Sequence, residues 1–158
     1  MENAMYHFIV RKKIIGLFSD INKGNATNII NGFDKDNFIH TFVAQGALGG
    51  RRTKYDSLVK WYDRLFKIMP DIHFKISRIE ISGMPWNTIA YVHWYESNSG
   101  TDGVRTYAYG YHIVKIVWGK MRELLICPDA TIVKSTLDRL IASGNQYASL
   151  PAIADIED

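Results

Sequence analysis

The chain of 158 residues has a single cysteine, Cys127, so no disulfide can form within it, and stability has to come from packing. Cys127 itself reads as a small buried residue rather than a nucleophile. An excess of charge of one sign is also missing: 19 Lys and Arg against 16 Asp and Glu leave +3. Basic residues gather only at Arg11-Lys12-Lys13 and at Arg51-Arg52 with Lys54, too thinly for a nucleic-acid surface, so no nucleic-acid partner is expected. No run approaches the ~20 apolar residues that cross a bilayer. The first segment lacks the basic start, apolar middle and cleavage site of a secretory signal. The expectation is a cytoplasmic protein without a membrane partner. With no repeat, linker or low-complexity segment, one domain over 1–158 is expected, its core over about 5–144 and a tail over 145–158.

Aromatic side chains are plentiful, at 13% of the chain, and they concentrate between Asn87 and Trp118. That stretch reads as two long strands joined by a polar turn with Asn98, Gly100, Asp102 and Gly103 at the joint. Antiparallel pairing about the turn would set Glu96 opposite Thr106, Trp94 opposite Ala108, Val92 opposite Gly110 and Ala90 opposite His112. One face then carries Ala90, Val92, Trp94, Glu96, Ala108, Gly110, His112, Val114 and Ile116. Its small residues beside one carboxylate and one imidazole suit a lined pocket. The opposite face carries Tyr91, His93, Tyr95, Tyr107, Tyr109 and Tyr111.

Before the hairpin, apolar residues at helical spacing predict a helix over 5–23 with Val10, Ile14, Leu17, Phe18 and Ile21 on its stripe. Asn25 is placed to cap a short second helix. A strand over 37–43 would put His40 and Phe42 on one face. The glycine-rich segment 44–52 lacks the spacing of a phosphate-binding loop and reads as a flexible loop. Thr53 and Asp56 suggest a capping box for a helix with Leu58, Tyr62, Leu65, Phe66 and Met69 on its buried side. Over 73–82 the alternation slips by one, and a bulge near Ser77 or Arg78 would restore it. A last strand over 121–127 leads to Asp129, placed to cap a helix carrying Val133, Leu137, Leu140 and Ile141. Helices first, long strands next and a closing helix argue α+β: a curved antiparallel sheet wrapped by three N-terminal helices and one C-terminal helix. Helices laid across a bent sheet leave a cavity, the usual place for a small molecule.

In order and spacing, the segments from Leu17 to Asn25, Phe38 to Arg51, Trp61 to Phe74, Pro85 to Thr88, Asp102 to Lys120 and Ile126 to Gly144 resemble the nuclear-transport-factor-2-like superfamily. The similarity is to its SnoaL-like and ketosteroid-isomerase-like bacterial members. The resemblance implies a cone-shaped α+β barrel with a deep pocket, commonly a homodimer through the outer sheet face, and chemistry without metal or cofactor. It also sets His40 where steroid isomerases carry their aspartate base, Leu17 at their tyrosine and His112 at their second aspartate. All three differ, which argues against that machinery. The SnoaL-like cyclases' aspartate has its nearest counterpart in Asp129.

The candidate catalytic residues are therefore His40, His112, Glu96 and Asp129. The two imidazoles would be acid and base or oxyanion donor, with a carboxylate orienting one of them. Phe42, Trp61, Val92, Trp94, Ala108 and Val114 are expected to line the pocket around a small apolar organic ligand. Each has a plainer reading: core histidines, a rim glutamate, a helix-capping aspartate and ordinary core packing. A metal held by the histidines and Glu96 is not expected, since they lack ligand spacing. The Tyr91, Tyr95, Tyr107, Tyr109 and Tyr111 face is too apolar to leave to water, and a second copy is its expected cover. The expected activity is proton transfer of isomerase, cyclase or dehydratase type. The alternative is a non-catalytic ligand-binding or dimeric interaction module of the same fold.

Overall fold

A computed structural model describes residues 2–156. Its elements in order are α1 (Glu2–Asn22), α2 (Thr27–Asn31), β1 (Ile39–Phe42), β2 (Gly50–Arg52), α3 (Tyr55–Ile68), β3 (His73–Met84), β4 (Asn87–Asn98), β5 (Thr106–Val117), β6 (Lys120–Cys127) and α4 (Ala130–Ala142). A short 3-10 helix, Tyr147–Ser149, begins the tail. The six strands form one sheet in the order β2-β1-β6-β5-β4-β3. All neighbours are antiparallel except β1 and β6, which pair in parallel, so the sheet is the expected antiparallel one with a single parallel seam.

The helices sit where their apolar stripes find the sheet. Val10, Ile14, Phe18 and Ile21 of α1 are buried, as are Leu58, Trp61, Tyr62, Leu65 and Ile68 of α3, and Val133, Leu137 and Leu140 of α4. Ile141, expected on that last stripe, is exposed; Thr136 takes the buried position instead. Polar side chains of α1 cover the open edge of β3. Asn22 bonds both backbone groups of Phe74, and Arg11 donates to the Ile79 carbonyl at 3.0 Å. Side chains on these edge groups compete with any further strand for them. The bulge in β3 falls between Ile76 and Arg78, and Phe74, Ile76, Ile79 and Ile81 all share the face of Ala90, Val92, Trp94 and Glu96.

The β4–β5 pairing differs from the expected register by two residues. Glu96 faces Ala108, Trp94 faces Gly110, Val92 faces His112 and Ala90 faces Val114. A slip of two leaves every side chain on its expected face, because side chains alternate with period two. The choice rests on Trp94: a Cβ at Gly110 would stand 2.6 Å from its Cη2, so only glycine fits beneath the indole. β4 also runs on to Asn98, whose Oδ1 accepts from Gly100 N at 3.0 Å and starts the turn.

The glycine-rich segment is not a plain loop. Gly50–Arg52 pairs with β1, Gly46 and Gly50 take positive φ, and Ala47 and Leu48 are fully buried. Neither expected cap on the early helices forms as drawn. Ala26 precedes α2 without a side-chain bond, although Asn25 Oδ1 accepts from Thr27 N. At α3 the N-cap Lys54 makes no side-chain cap bond; the entry is instead held from the far end of the chain, where Asp155 accepts from Thr53 N, Lys54 N and Ser57 Oγ at 2.8 to 3.0 Å. The tail thereby closes over β2, with Asp155 N donating to Arg51 O.

Candidate functional site

Between the sheet's inner face and α1, α3 and α4 lies a narrow chamber of about 60 Å³. Phe42, Trp61, Trp94 and Ala108 line it, joined by Tyr62, Glu96, Asn98, His112 and Thr136. Beyond Leu17, Phe18 and Ile29 a wider groove of about 500 Å³ opens between α1, α2 and β5–β6, and His112 belongs to both walls. Val114 lies on the groove rather than in the chamber, and the fully buried Val92 lines neither.

The four candidate acid-base residues separate. His112 is buried, and its Nδ1 accepts from Trp94 Nε1 at 2.8 Å. An indole can only donate, so Nδ1 must be the bare nitrogen and the ring proton sits on Nε2. Burial pushes the proton affinity of His112 down to about 3. At neutral pH it is thus an uncharged ring with an N–H to offer, a donor rather than a base.

Glu96 behaves in the opposite sense. Burial raises its carboxyl from 4.5 to about 7, against the lowering effect of Asn98, whose Nδ2 donates to Oε1 at 2.7 Å. A carboxyl half ionised near neutrality can both take and return a proton. Glu96 faces Ala108, and His112 stands four residues further along β5, ~13 Å at strand rise. Base and donor therefore belong to opposite parts of one chamber.

His40 does not look into the chamber, contrary to expectation. It is fully buried between β2 and α3, with Arg52 Nε donating to Nδ1 at 3.0 Å and Tyr62 Oη 3.3 Å from Nε2. Burial and the adjacent Arg52 cation hold its proton affinity well below the ordinary 6.5. Asp129 takes the plainer role of a helix cap. Its Oδ1 accepts from Thr131 N and Ile132 N at the start of α4, and it is absent from the chamber wall. Among the described residues, no three His, Cys, Asp or Glu side chains converge as a metal site would need.

Four further polar groups, Tyr62, Arg52, Asn98 and Thr136, stand at or behind this chamber without having been expected there. Tyr62 and Thr136 lie on helix stripes whose apolar members carry the periodic signal. Asn98 has the look of turn chemistry. Arg52 is hidden because the run of glycines before it masks a strand; in that strand it faces His40 directly.

No family model and no curated protein matches the sequence. Solved structures do. An NTF2-like protein of unknown function from Burkholderia pseudomallei K96243 superposes with a TM-score of 0.71 at 10% identity, over 80% of this chain and 95% of the other. The fold is NTF2-like. A Jannaschia sp. CCS1 protein assigned as a SnoaL-like polyketide cyclase shares this NTF2-like fold, with a TM-score of 0.61 at 10% identity, covering 79% of this chain and 88% of that one. So does TerC, crystallised with polyporic acid, with a TM-score of 0.62 at 11% identity over 80% and 96% of the two chains. At such identities the NTF2-like fold is shared while the chemistry is free to differ.

Proposed function

We propose that this chain binds a small apolar organic molecule in the chamber and moves a proton on it, with Glu96 as acid and base and His112 Nε2–H as hydrogen-bond donor. What supports this reading is that Glu96 and His112 line one largely apolar chamber, where burial raises the Glu96 carboxyl toward about 7. The Glu96 carboxylate could remove a C–H proton made acidic by a carbonyl beside it and return it elsewhere, while His112 Nε2–H, at the other part of the chamber, would hold a second polar group of the ligand. The reaction class is isomerase, cyclase or dehydratase, and the polyketide-cyclase assignment of the Jannaschia relative and the co-crystallised ligand of TerC are in keeping with it.

The test needs no knowledge of the natural substrate. Small ketones incubated in D₂O should exchange their α-hydrogens faster with the protein than in buffer, and Glu96→Gln should remove the excess. Ketones that bind without exchanging would favour the second reading, a non-catalytic binding module. Under either reading the chamber's size, below half the ~150 Å³ that accepts a benzene ring, restricts it to small ligands. A ring-sized ligand would have to displace the partition of Leu17, Phe18 and Ile29 toward the groove.

The outer sheet face supports a homodimer. Tyr95, Tyr107 and Tyr109 are 59%, 72% and 68% exposed beside the stacked Tyr91 and Tyr111. That much contiguous aromatic surface fits a two-fold contact with a second copy.

A further inference from the structure

Arg52 is a fully buried cation that forms no ion pair among the described residues. Its guanidinium is held by neutral acceptors alone: the carbonyls of Gly49, Gly50 and Ile153 at 2.7 to 2.9 Å, and His40 Nδ1. Asp155 favours the charge electrostatically but forms no bond with it; burial is the larger influence and lowers the guanidinium's proton affinity to about 10, which still leaves it charged at neutrality.

The direction of each bond follows from the donor inventory. Arg52 can only donate, so His40 Nδ1 accepts and the imidazole proton lies on Nε2. Nε2–H then donates to Tyr62 Oη, which leaves the phenol's own proton outside that bond. The hydroxyl has no other hydrogen bond among the described residues, and Tyr62 lines the chamber. A line of aligned dipoles thus runs from the cation through the ring to a phenolic O–H, each bond polarising the next. Burial keeps that phenol neutral by raising its proton affinity, so it stays a donor.

We propose that Tyr62 is a second oxygen-binding donor of the chamber besides His112, polarised through His40 by the buried Arg52, and that the ligand is accordingly an apolar molecule bearing a ketone or enol oxygen. His40 is a positioning residue in this arrangement: it touches Tyr62 and not the ligand. The assignment rests on the chamber being a ligand site, as proposed above.

Two probes separate the possibilities: 2-butanone, which can only accept a hydrogen bond, and 2-methyl-1-butene, its hydrocarbon isostere. Both are titrated by ligand-observed NMR at a pH well above 7, where Glu96 is ionised and cannot donate. Tyr62→Phe should weaken 2-butanone by about tenfold, the worth of one hydrogen bond, and leave the alkene within about twofold. The infrared carbonyl stretch of bound 2-butanone should move to lower frequency in the wild type and recover in Tyr62→Phe. His40→Gln, whose amide supplies one acceptor and one donor, should keep part of that shift; His40→Leu should lose most of it with Tyr62 still present. Equal weakening of both probes, or a carbonyl stretch unaffected by Tyr62→Phe, would overturn the role of Tyr62. A full shift in His40→Leu would overturn the relay. If neither probe binds the wild type, the ligand site itself is wrong and this assignment falls with it.

Discussion

Trp94 Nε1 and His112 Nδ1 stand 2.8 Å apart across the β4–β5 pair, and this bond fixes which imidazole nitrogen carries the proton. Replacing Trp94 by Phe removes the only donor to Nδ1 among the described residues. The ¹⁵N shifts of His112 should report the Nε2–H tautomer alone in the wild type and a mixture of both tautomers in Trp94→Phe. A mixture in the wild type would remove the basis for treating His112 as a fixed donor.

Glu96 makes stability depend on pH in a direction opposite to the usual carboxylate. Its folded proton affinity, about 7, lies above the ordinary 4.5, so the folded state holds its proton more tightly. The contribution is complete below 4.5 and disappears as pH rises through 7, amounting to roughly 3 kcal/mol between the two limits. His112 runs the other way: its depressed affinity contributes above 6.5, and that contribution is lost as pH falls toward 3. Urea unfolding across this range should show Glu96→Gln gaining on the wild type as pH rises from 5 to 8. A constant difference between the two would show that Glu96 titrates normally.

Gly110 has no room for a side chain, since a Cβ would lie 2.6 Å from Trp94 Cη2 and 2.5 Å from the Cys127 carbonyl oxygen. Gly110→Ala is expected to cost about 1–3 kcal/mol in chemical unfolding. It should also displace the indole, so the His112 ¹⁵N shifts should change even where the protein stays folded.

Asp155 anchors the entry to a helix that begins far earlier in the chain. Asp155→Ala strips three donors of their acceptor at Thr53, Lys54 and Ser57, and should cost about 1–2 kcal/mol. Hydrogen exchange should quicken at the Thr53 and Lys54 amides first. Unchanged protection there would mean that the tail does not hold α3 in solution.

The tyrosine face bears on assembly. Sedimentation should find the wild type as a dimer, and Tyr109→Arg, which puts a charge on an exposed position of that face, as a folded monomer. A monomeric wild type would end the proposal.

Local patterns settled the elements and the faces. The stripes of α1, α3 and α4, the bulge between Ile76 and Arg78 and the inward set from Ala90 to Val114 all follow from periods that neighbouring residues express by themselves. The register could not follow, because a two-residue slip preserves every face and only the fit of Trp94 over Gly110 distinguishes the alternatives. The anchoring of the α3 entry by Asp155 depends on a residue distant in sequence, so no window could reveal it. The strand Gly50–Arg52 pairs with nearby β1 but is masked by the glycines around it. The site shows the same division. Sequence placed His40, Glu96 and His112 on inward faces, but an inward face includes both a cavity wall and the solid core. Tertiary packing alone decided that His40 would be enclosed by Arg52 and Tyr62 while Glu96 and His112 kept a free surface, because burial and hydrogen-bond partners belong to the assembled neighbourhood and not to the strand.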